Sequence, residues 1–150
     1  MLEACTPKLD LSPQVRLMIR LASGCLVVYW LAIFLATHMP SAAMPKLTYS
    51  DKVYHAGAFA GLSFLLCWAL PTREGFSARW RQVSIAGIIS VSYGCIDELT
   101  QQFIPGRCCD VWDMTADAVG VMIGISCYLA CRQLLVQFEF GRNVISKFSR

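Results

Sequence analysis

The sequence has little charge. Aspartate, glutamate, lysine and arginine make up 15% of its 150 residues, whereas 56% of the residues are hydrophobic. A soluble globular domain usually carries about a quarter charged residues, and a core of this chain's size cannot hide so much apolar surface from water. The scarcity of charge therefore excludes an ordinary soluble domain and indicates a membrane protein.

Several familiar patterns are also missing. The basic residues do not form a stripe with interleaved aromatic residues, so no nucleic-acid partner is expected. The chain has no fixed-period repeat and no linker, which predicts one compact unit. Its eight cysteines include no C-x-x-C pair or Cys/His zinc spacing, and we expect no metal or other cofactor. Five cysteines lie in apolar runs and should behave as small hydrophobic residues: Cys25, Cys67, Cys95, Cys127 and Cys131.

Four apolar segments approach the roughly 20 residues that a helix needs to cross a bilayer. Proline or charged residues bound each segment, and the connections are short. The sequence therefore predicts an all-α membrane protein with four antiparallel transmembrane helices. The spans are Leu21 to Thr37, Val53 to Leu70, Val83 to Ile104 and Val111 to Cys131. Segments 1–20 and 132–150 flank this 21–131 membrane domain.

The distribution of positive charge predicts the orientation. If the N-terminus is cytoplasmic, ten of the 13 basic residues lie on the cytoplasmic side, and only Lys46, Lys52 and Arg107 lie outside. Positive charge is retained in cytoplasmic loops, so we expect both termini in the cytoplasm. Two alternatives stay open: the inverted topology, and cleavage of the first span as a signal sequence near Ala42.

Polar residues gather at the predicted outer ends of the helices. Asp51 and His55 are one helical turn apart, and residues at similar spacing form stripes on the third and fourth spans. Ionisable groups within membrane segments are functional candidates, so we predict one outward-facing binding site. It comprises Asp51, Lys52, His55, Asp97, Glu98, Gln101, Arg107, Asp113 and Asp117. Small residues predicted to allow close helix packing are Gly57, Gly61, Gly94, Gly120 and Gly124.

The same residues have an architectural interpretation. Asp97, Glu98 and Gln101 would then bond to Arg107 and to neighbouring backbone, and so close the hairpin between the third and fourth spans. Asp113 would cap the fourth helix, where a carboxylate favours the positive end of the helix dipole. Under this interpretation His38 is an interfacial residue without a catalytic role. The sequence leaves both interpretations open.

Three ordered motifs resemble those of the VanZ-like family. They are the run Asp51-Lys52-Val53-Tyr54-His55, the run from Tyr93 to Arg107 that contains Asp97-Glu98 and Pro105-Gly106, and the series Asp110, Asp113, Asp117, Gly120 and Gly124. The resemblance covers roughly Leu21 to Cys131. It implies a small protein of the bacterial inner membrane and cell envelope. The family's namesake is associated with resistance to the glycopeptide teicoplanin, without an established biochemical mechanism.

Two positions depart from the family pattern. Asp117 stands where many members look to have Asn, and this extra carboxylate changes the charge balance of the predicted site. Cys108 and Cys109 replace the small or polar residues expected after the arginine. Both departures leave the resemblance intact but weaken any transfer of ligand preference.

Three functions fit the polar residues. The first is a protein that binds an anionic or lipid-linked envelope precursor at the outer leaflet, with Arg107 and Lys52 as cations. The second is a membrane-surface hydrolase or transferase acting on a phosphate-bearing lipid, with His55 or Glu98 as acid or base and, in one version, a divalent metal held by Asp and Glu oxygens. No recognisable catalytic motif supports an enzyme. The third is a structural subunit of an oligomer or envelope complex.

Overall fold

The structure is a computed structural model. It describes residues 13–40, residue 42, residues 50–70 and residues 75–139. Within these residues the chain forms four α-helices and no strand, which confirms the predicted all-α fold. The helices are α1 (Pro13–Thr37), α2 (Asp51–Ala69), α3 (Phe76–Gln101) and α4 (Val111–Gln137). Most of the predicted N-terminal segment and the end of the predicted C-terminal segment lie outside the described residues.

Helix α3 ends earlier than its apolar run predicts. The sequence extends the third span to Ile104, but the helix stops at Gln101 and the chain continues through hydrogen-bonded turns. Pro105 disfavours helical geometry at the residue before it. Gly106 then adopts a positive φ of 77°, a conformation that glycine enters at little cost. These residues therefore release the chain from α3 and direct it towards α4.

Two of the four helices are long and apolar enough to cross a membrane, namely α3 with 26 residues and α4 with 27. At about 1.5 Å per residue, each exceeds the roughly 30 Å hydrocarbon core. The apolar part of α1, Ser23–Thr37, is shorter, and α2 has 19 residues. Membrane-helix character is thus confirmed for α3 and α4, while the crossing of α1 and α2 stays a prediction.

The described bundle exposes large apolar side chains and buries polar ones. Val28, Leu35, Ile88 and Met122 are each more than 60% exposed. Of the five cysteines in apolar runs, Cys67 is buried and the other four are exposed on helix surfaces. Large contiguous apolar surfaces are rare on soluble monomers, so this surface is the one that a lipid environment would cover.

Glycines bring α4 directly against α2. A Cβ added at Gly120 would collide with the backbone carbonyl of Ala56, and one at Gly124 would collide with that of Ala60. Small residues permit such backbone contact between membrane helices. Gly61 likewise makes room for the hydroxyl of Tyr29.

The predicted packing role does not extend to Gly57. Among the described residues, no atom lies within 4 Å of a Cβ built at this position. Gly57 is exposed, whereas Ala56 and Ala60 lie against Gly120 and Gly124 of α4. The four-residue spacing from Gly57 to Gly61 therefore does not place both glycines in close helix contacts.

Below the polar end, apolar side chains form the centre of the bundle. Phe59, Leu62 and Val121 are buried there, and the Ser63 hydroxyl donates to the Val121 carbonyl at 3.2 Å. At the far end Tyr128 donates to Gln82 Oε1 at 3.0 Å. This packing fixes the helices so that the C-terminal ends of α1 and α3 meet the N-terminal ends of α2 and α4.

Candidate functional site

Three ionisable side chains from three helices meet at the centre of the polar end. His55 of α2 lies with its Nδ1 atom 2.9 Å from Asp117 Oδ1 of α4 and 3.8 Å from Glu98 Oε1 of α3. Their exposed fractions are only 5%, 2% and 0%. A Cβ at Gly94 would lie 3.0 Å from Asp117 Oδ2, so this glycine makes room for the carboxylate. We call His55, Glu98 and Asp117 the inner triad.

Gln101 holds two carboxylates of α3 in place. Its Nε2 atom donates to Asp97 Oδ2 at 2.9 Å and to Glu98 Oε1 at 3.0 Å. The second oxygen of Glu98 accepts from the backbone N–H of Asp110 at 3.1 Å. The predicted stripe on α3 therefore forms, and Glu98 ties it to the start of α4.

Lys52 forms the main ion pairs at the surface of the site. Its Nζ atom donates to Asp113 Oδ1 at 2.8 Å and to Asp110 Oδ2 at 3.1 Å. Asp110 is the residue that caps α4, because its Oδ1 accepts from the Trp112 N–H at 2.8 Å. The prediction that Asp113 caps α4 is therefore wrong, because Asp110 caps this helix. Asp113 pairs with Lys52 instead.

Asp110 is electrostatically favoured as a carboxylate. The hydrogen bond from the Trp112 N–H, followed by that from Lys52, lowers its pKa below the ordinary value. Asp110 precedes α4 and lies outside the helical spans. The negative charge at this position is therefore retained to lower pH than on an ordinary aspartate.

Arg107 does not make the hairpin-closing contact with Glu98 that the sequence suggested. Its Nη1 atom lies 3.9 Å from Asp51 Oδ2, and its Nε donates to the Met39 carbonyl at 3.4 Å. The physical reason is the turn at Pro105-Gly106, which carries Arg107 towards α1 and α2. The Glu98 oxygens accept hydrogen bonds from Gln101 and from the Asp110 N–H instead of from Arg107.

A cavity of about 240 Å³ lies between α1 and α2 beside this arginine. Its walls are mainly apolar, and its polar lining comes from the C-terminal end of α1, the N-terminal end of α2 and Arg107. The lining residues are Ile33, Ala36, Thr37, Met39, Asp51, Tyr54, His55, Ala58, Phe59 and Arg107. Ligand sites typically combine apolar walls with a few placed polar groups.

The sequence interpretation missed the contribution of α1. The Thr37 hydroxyl donates to Asp97 Oδ1 at 3.0 Å, and His38 Nε2 lies 3.0 Å from the Thr100 hydroxyl. The His38 ring also stacks on Phe34, with ring centroids 4.0 Å apart. The sequence offered one indication of this contribution, because the polar pair Thr37-His38 stands at the end of an apolar run. The structure places both residues beside the carboxylates of α3.

The site offers two sets of metal-binding atoms and one acid–base pair. Donor atoms within 4.8 Å of one another come from the inner triad and, separately, from Asp51, His55 and Asp113. The hydrogen bond between His55 and Asp117 also orients an imidazole that borders the cavity. A carboxylate that fixes the orientation of a histidine is the arrangement on which general-base catalysis depends.

A comparison with models of protein families finds a match over most of the chain. A family model described as VanZ/LLP1 matches residues 24–133, a range that contains the cavity and every predicted site residue. No curated protein and no solved structure matches the chain.

Proposed function

This chain belongs to the VanZ/LLP1 family, and we propose that it is a multi-pass membrane protein that binds an anionic or lipid-linked component of the bacterial cell envelope. The observation that carries this proposal is the cavity between α1 and α2, which joins apolar walls to the guanidinium of Arg107. An amphiphile with one negative headgroup has the matching distribution of polar and apolar parts. The proposal therefore concerns a lipid, not a water-soluble ion.

The apolar walls suit a hydrocarbon chain. Ile33 and Ala36 come from α1, and Ala58 and Phe59 come from α2. Burying apolar surface stabilises a complex by about 25 cal/mol per Å². A lipid whose chain enters between these helices would gain from this burial in addition to any headgroup contact.

Arg107 is the residue proposed to bind the headgroup. A guanidinium presents a planar fork of N–H donors that matches phosphate and carboxylate oxygens. Both contacts that hold it are long, at 3.9 Å to Asp51 and 3.4 Å to Met39. An anion can replace Asp51, which is 41% exposed. Lys52 is not proposed to bind the headgroup, because its ammonium group already forms ion pairs with Asp110 and Asp113.

The proposal includes four antiparallel spans with both termini in the cytoplasm. Basic residues at the opposite end from the cavity support this orientation, including Arg20 of α1, Arg79 and Arg81 of α3, and Arg132 of α4. Positive charge favours the cytoplasmic side. The cavity then opens at the outer leaflet of the inner membrane, where lipid-linked envelope precursors are used.

Native mass spectrometry of the full chain in detergent tests lipid binding directly. We expect undecaprenyl phosphate or phosphatidylglycerol to be retained over phosphatidylcholine. Arg107→Ala should reduce retention of the anionic lipid by about tenfold or more, and Arg107→Lys should restore only part of it because lysine lacks the fork. Arg81→Ala is the matched control, since it removes an exposed arginine from the opposite end. Equal retention by all four proteins would refute the proposed role of Arg107.

The acid–base pair supports a second candidate function. His55 borders the cavity, and its Nδ1 atom donates a hydrogen bond to Asp117 Oδ1, so this pair supports hydrolysis or transfer of a phosphate-bearing headgroup. Release of inorganic phosphate from undecaprenyl phosphate in detergent tests this reaction. His55→Gln should lower turnover by about 10²-fold or more while lipid retention persists. If the wild type retains the lipid but releases no phosphate, the enzymatic function is refuted and only the binding function remains.

The glycopeptide link is a further part of the proposal. If the bound lipid belongs to the pathway that teicoplanin blocks, expression of the chain should raise the teicoplanin concentration that a susceptible host tolerates. Arg107→Ala should remove this effect at equal protein level. Unchanged teicoplanin tolerance would refute a role of this chain in resistance. The lipid-binding proposal would still stand.

A further inference from the structure

We propose that the inner triad of His55, Glu98 and Asp117 binds one divalent transition-metal ion of the Zn²⁺ type. The three donors come from α2, α3 and α4, all lie within 4.8 Å of one another, and all are buried. This inference is independent of the lipid-binding proposal. It departs from the expectation of no metal, which rested on motif spacing within single segments.

The distances within the triad match a coordination shell. Zinc binds nitrogen and carboxylate oxygen at about 2.0–2.2 Å, which places neighbouring donors about 3.4 Å apart in a tetrahedral site. Octahedral coordination at similar bond lengths gives about 3.0 Å. His55 Nδ1 lies 2.9 Å from Asp117 Oδ1 and 3.8 Å from Glu98 Oε1. Small side-chain movements would bring all three donors onto one ion.

The charge of the region favours a cation. Asp97, Glu98 and Asp117 are at most 2% exposed, and burying carboxylates without compensation is strongly unfavourable. Lys52 is bound to two other aspartates, and Arg107 faces Asp51. One imidazolium would neutralise a single carboxylate of the triad. A divalent ion neutralises both and leaves the imidazole neutral, the form that coordinates metals.

An oxygen atom of Asp117 supplies an independent indication. Among the described residues, its buried Oδ2 atom has no hydrogen-bond partner. Buried polar atoms are almost always paired, so an unpaired carboxylate oxygen points to a bound water or ion. The charge of this carboxylate increases the affinity of the triad for a cation.

The alternative donor group around the same histidine is less suited to a metal. It combines His55 with Asp51 and Asp113, but Asp113 already accepts from Lys52 at 2.8 Å. An ammonium group therefore supplies the positive charge there. Asp51 is also 41% exposed and faces Arg107. Among the described residues no lysine or arginine forms an ion pair with the inner triad, and its side chains are at most 5% exposed.

Metal analysis of the full chain in detergent tests the inference. After EDTA treatment, incubation with Zn²⁺ and desalting, we expect about one ion per wild-type chain, measured by plasma mass spectrometry. Asp117→Asn and Glu98→Gln should lose this ion. Asp97→Asn is the matched control, because it neutralises a buried carboxylate outside the triad, and it should retain the ion. Wild-type protein without zinc above the buffer background would overturn the proposal, as would retention by all variants.

X-ray absorption of the wild-type zinc complex provides a test that needs no variant. The triad predicts nitrogen and oxygen ligands at about 2.0–2.2 Å, including one imidazole. Sulfur at about 2.3 Å would place the ion on cysteines and overturn the proposal even if the stoichiometry were one. This spectrum therefore decides the question if Asp117→Asn and Glu98→Gln fail to fold.

Discussion

Asp110 is the residue whose charge has the clearest predicted effect on stability. Its pKa is lowered from 3.8, first by the Trp112 N–H and then by Lys52. The native carboxylate therefore binds protons less readily than the unfolded one, so stability rises with pH in this region. We expect wild type to be more stable than Asp110→Asn at neutral pH. The difference should shrink as pH falls below about 4 towards the lower native pKa.

Thermal unfolding midpoints of both proteins, measured between about pH 2 and pH 7 in one detergent, check this expectation. Asparagine still caps a helix, so the comparison isolates the charge. In a Lys52→Met background the difference should decrease but persist, because the Trp112 N–H is the larger cause of the shift. A stability difference that does not vary with pH would contradict the assigned pKa direction.

Residue partners were harder to predict than residue positions. The sequence placed Glu98, Arg107 and Asp113 at one end of the bundle, and the structure agrees. It predicted that neighbouring backbone would bond to these α3 side chains, but it did not identify the Asp110 N–H as the donor to Glu98 or predict that Arg107 faces Asp51. Helical spacing defines which residues share a face, whereas cross-helix partners depend on helix rotation and on the path of the loop. The turn through Gly106 determines that path.

At the scale of whole helices, the contact between α2 and α4 depends on specific glycines. The sequence predicted close packing from two glycine pairs with the same spacing. Gly120 and Gly124 both press against the backbone of the neighbouring helix, whereas in the other pair Gly61 contacts the Tyr29 side chain and Gly57 contacts no described atom. A spacing of four residues identifies a helix face without showing whether another helix covers it. The four helices themselves were predictable because long apolar runs and bounding prolines do not depend on tertiary partners.

Gly120→Ala should weaken this helix pair. The added methyl would collide with the Ala56 carbonyl, and a backbone atom cannot move aside as the end of a long side chain can. Overpacking of this kind typically lowers the free energy of unfolding by about 1–3 kcal/mol. Thermal unfolding in detergent measures the loss. Gly57→Ala is the matched control, since its methyl meets no described atom within 4 Å and alanine favours helices. Equal destabilisation by both changes would contradict the assigned packing.

Across the described helices, polarity is arranged in the opposite way to a soluble protein. Six of the buried polar side chains of α2, α3 and α4 meet at one end, while large apolar side chains cover the outside. The low charge content of the sequence indicated this arrangement, because it left too few polar residues to cover the surface. Burial alone does not reveal which end faces the cytoplasm, so orientation rests on the distribution of basic residues.

Cysteine labelling in intact cells tests the proposed orientation. Cys108 and Cys109 are exposed on the connection between α3 and α4, at the end that carries the site. With this end outside, a membrane-impermeant maleimide should label the chain, and Cys108→Ala combined with Cys109→Ala should remove most of the label. The other exposed cysteines that the structure describes lie on helix surfaces, where lipid should shield them from a charged reagent.

A cysteine at the opposite end of α3 makes the labelling decisive. Ser77 is exposed in the first turn of this helix, so Ser77→Cys in the background without Cys108 and Cys109 should react only after the membrane is permeabilised. Labelling of Ser77→Cys in intact cells, with protection of Cys108 and Cys109, would instead support the inverted topology. The cavity and Arg107 would then face the cytoplasm, and the proposed ligand would have to be a lipid of the inner leaflet.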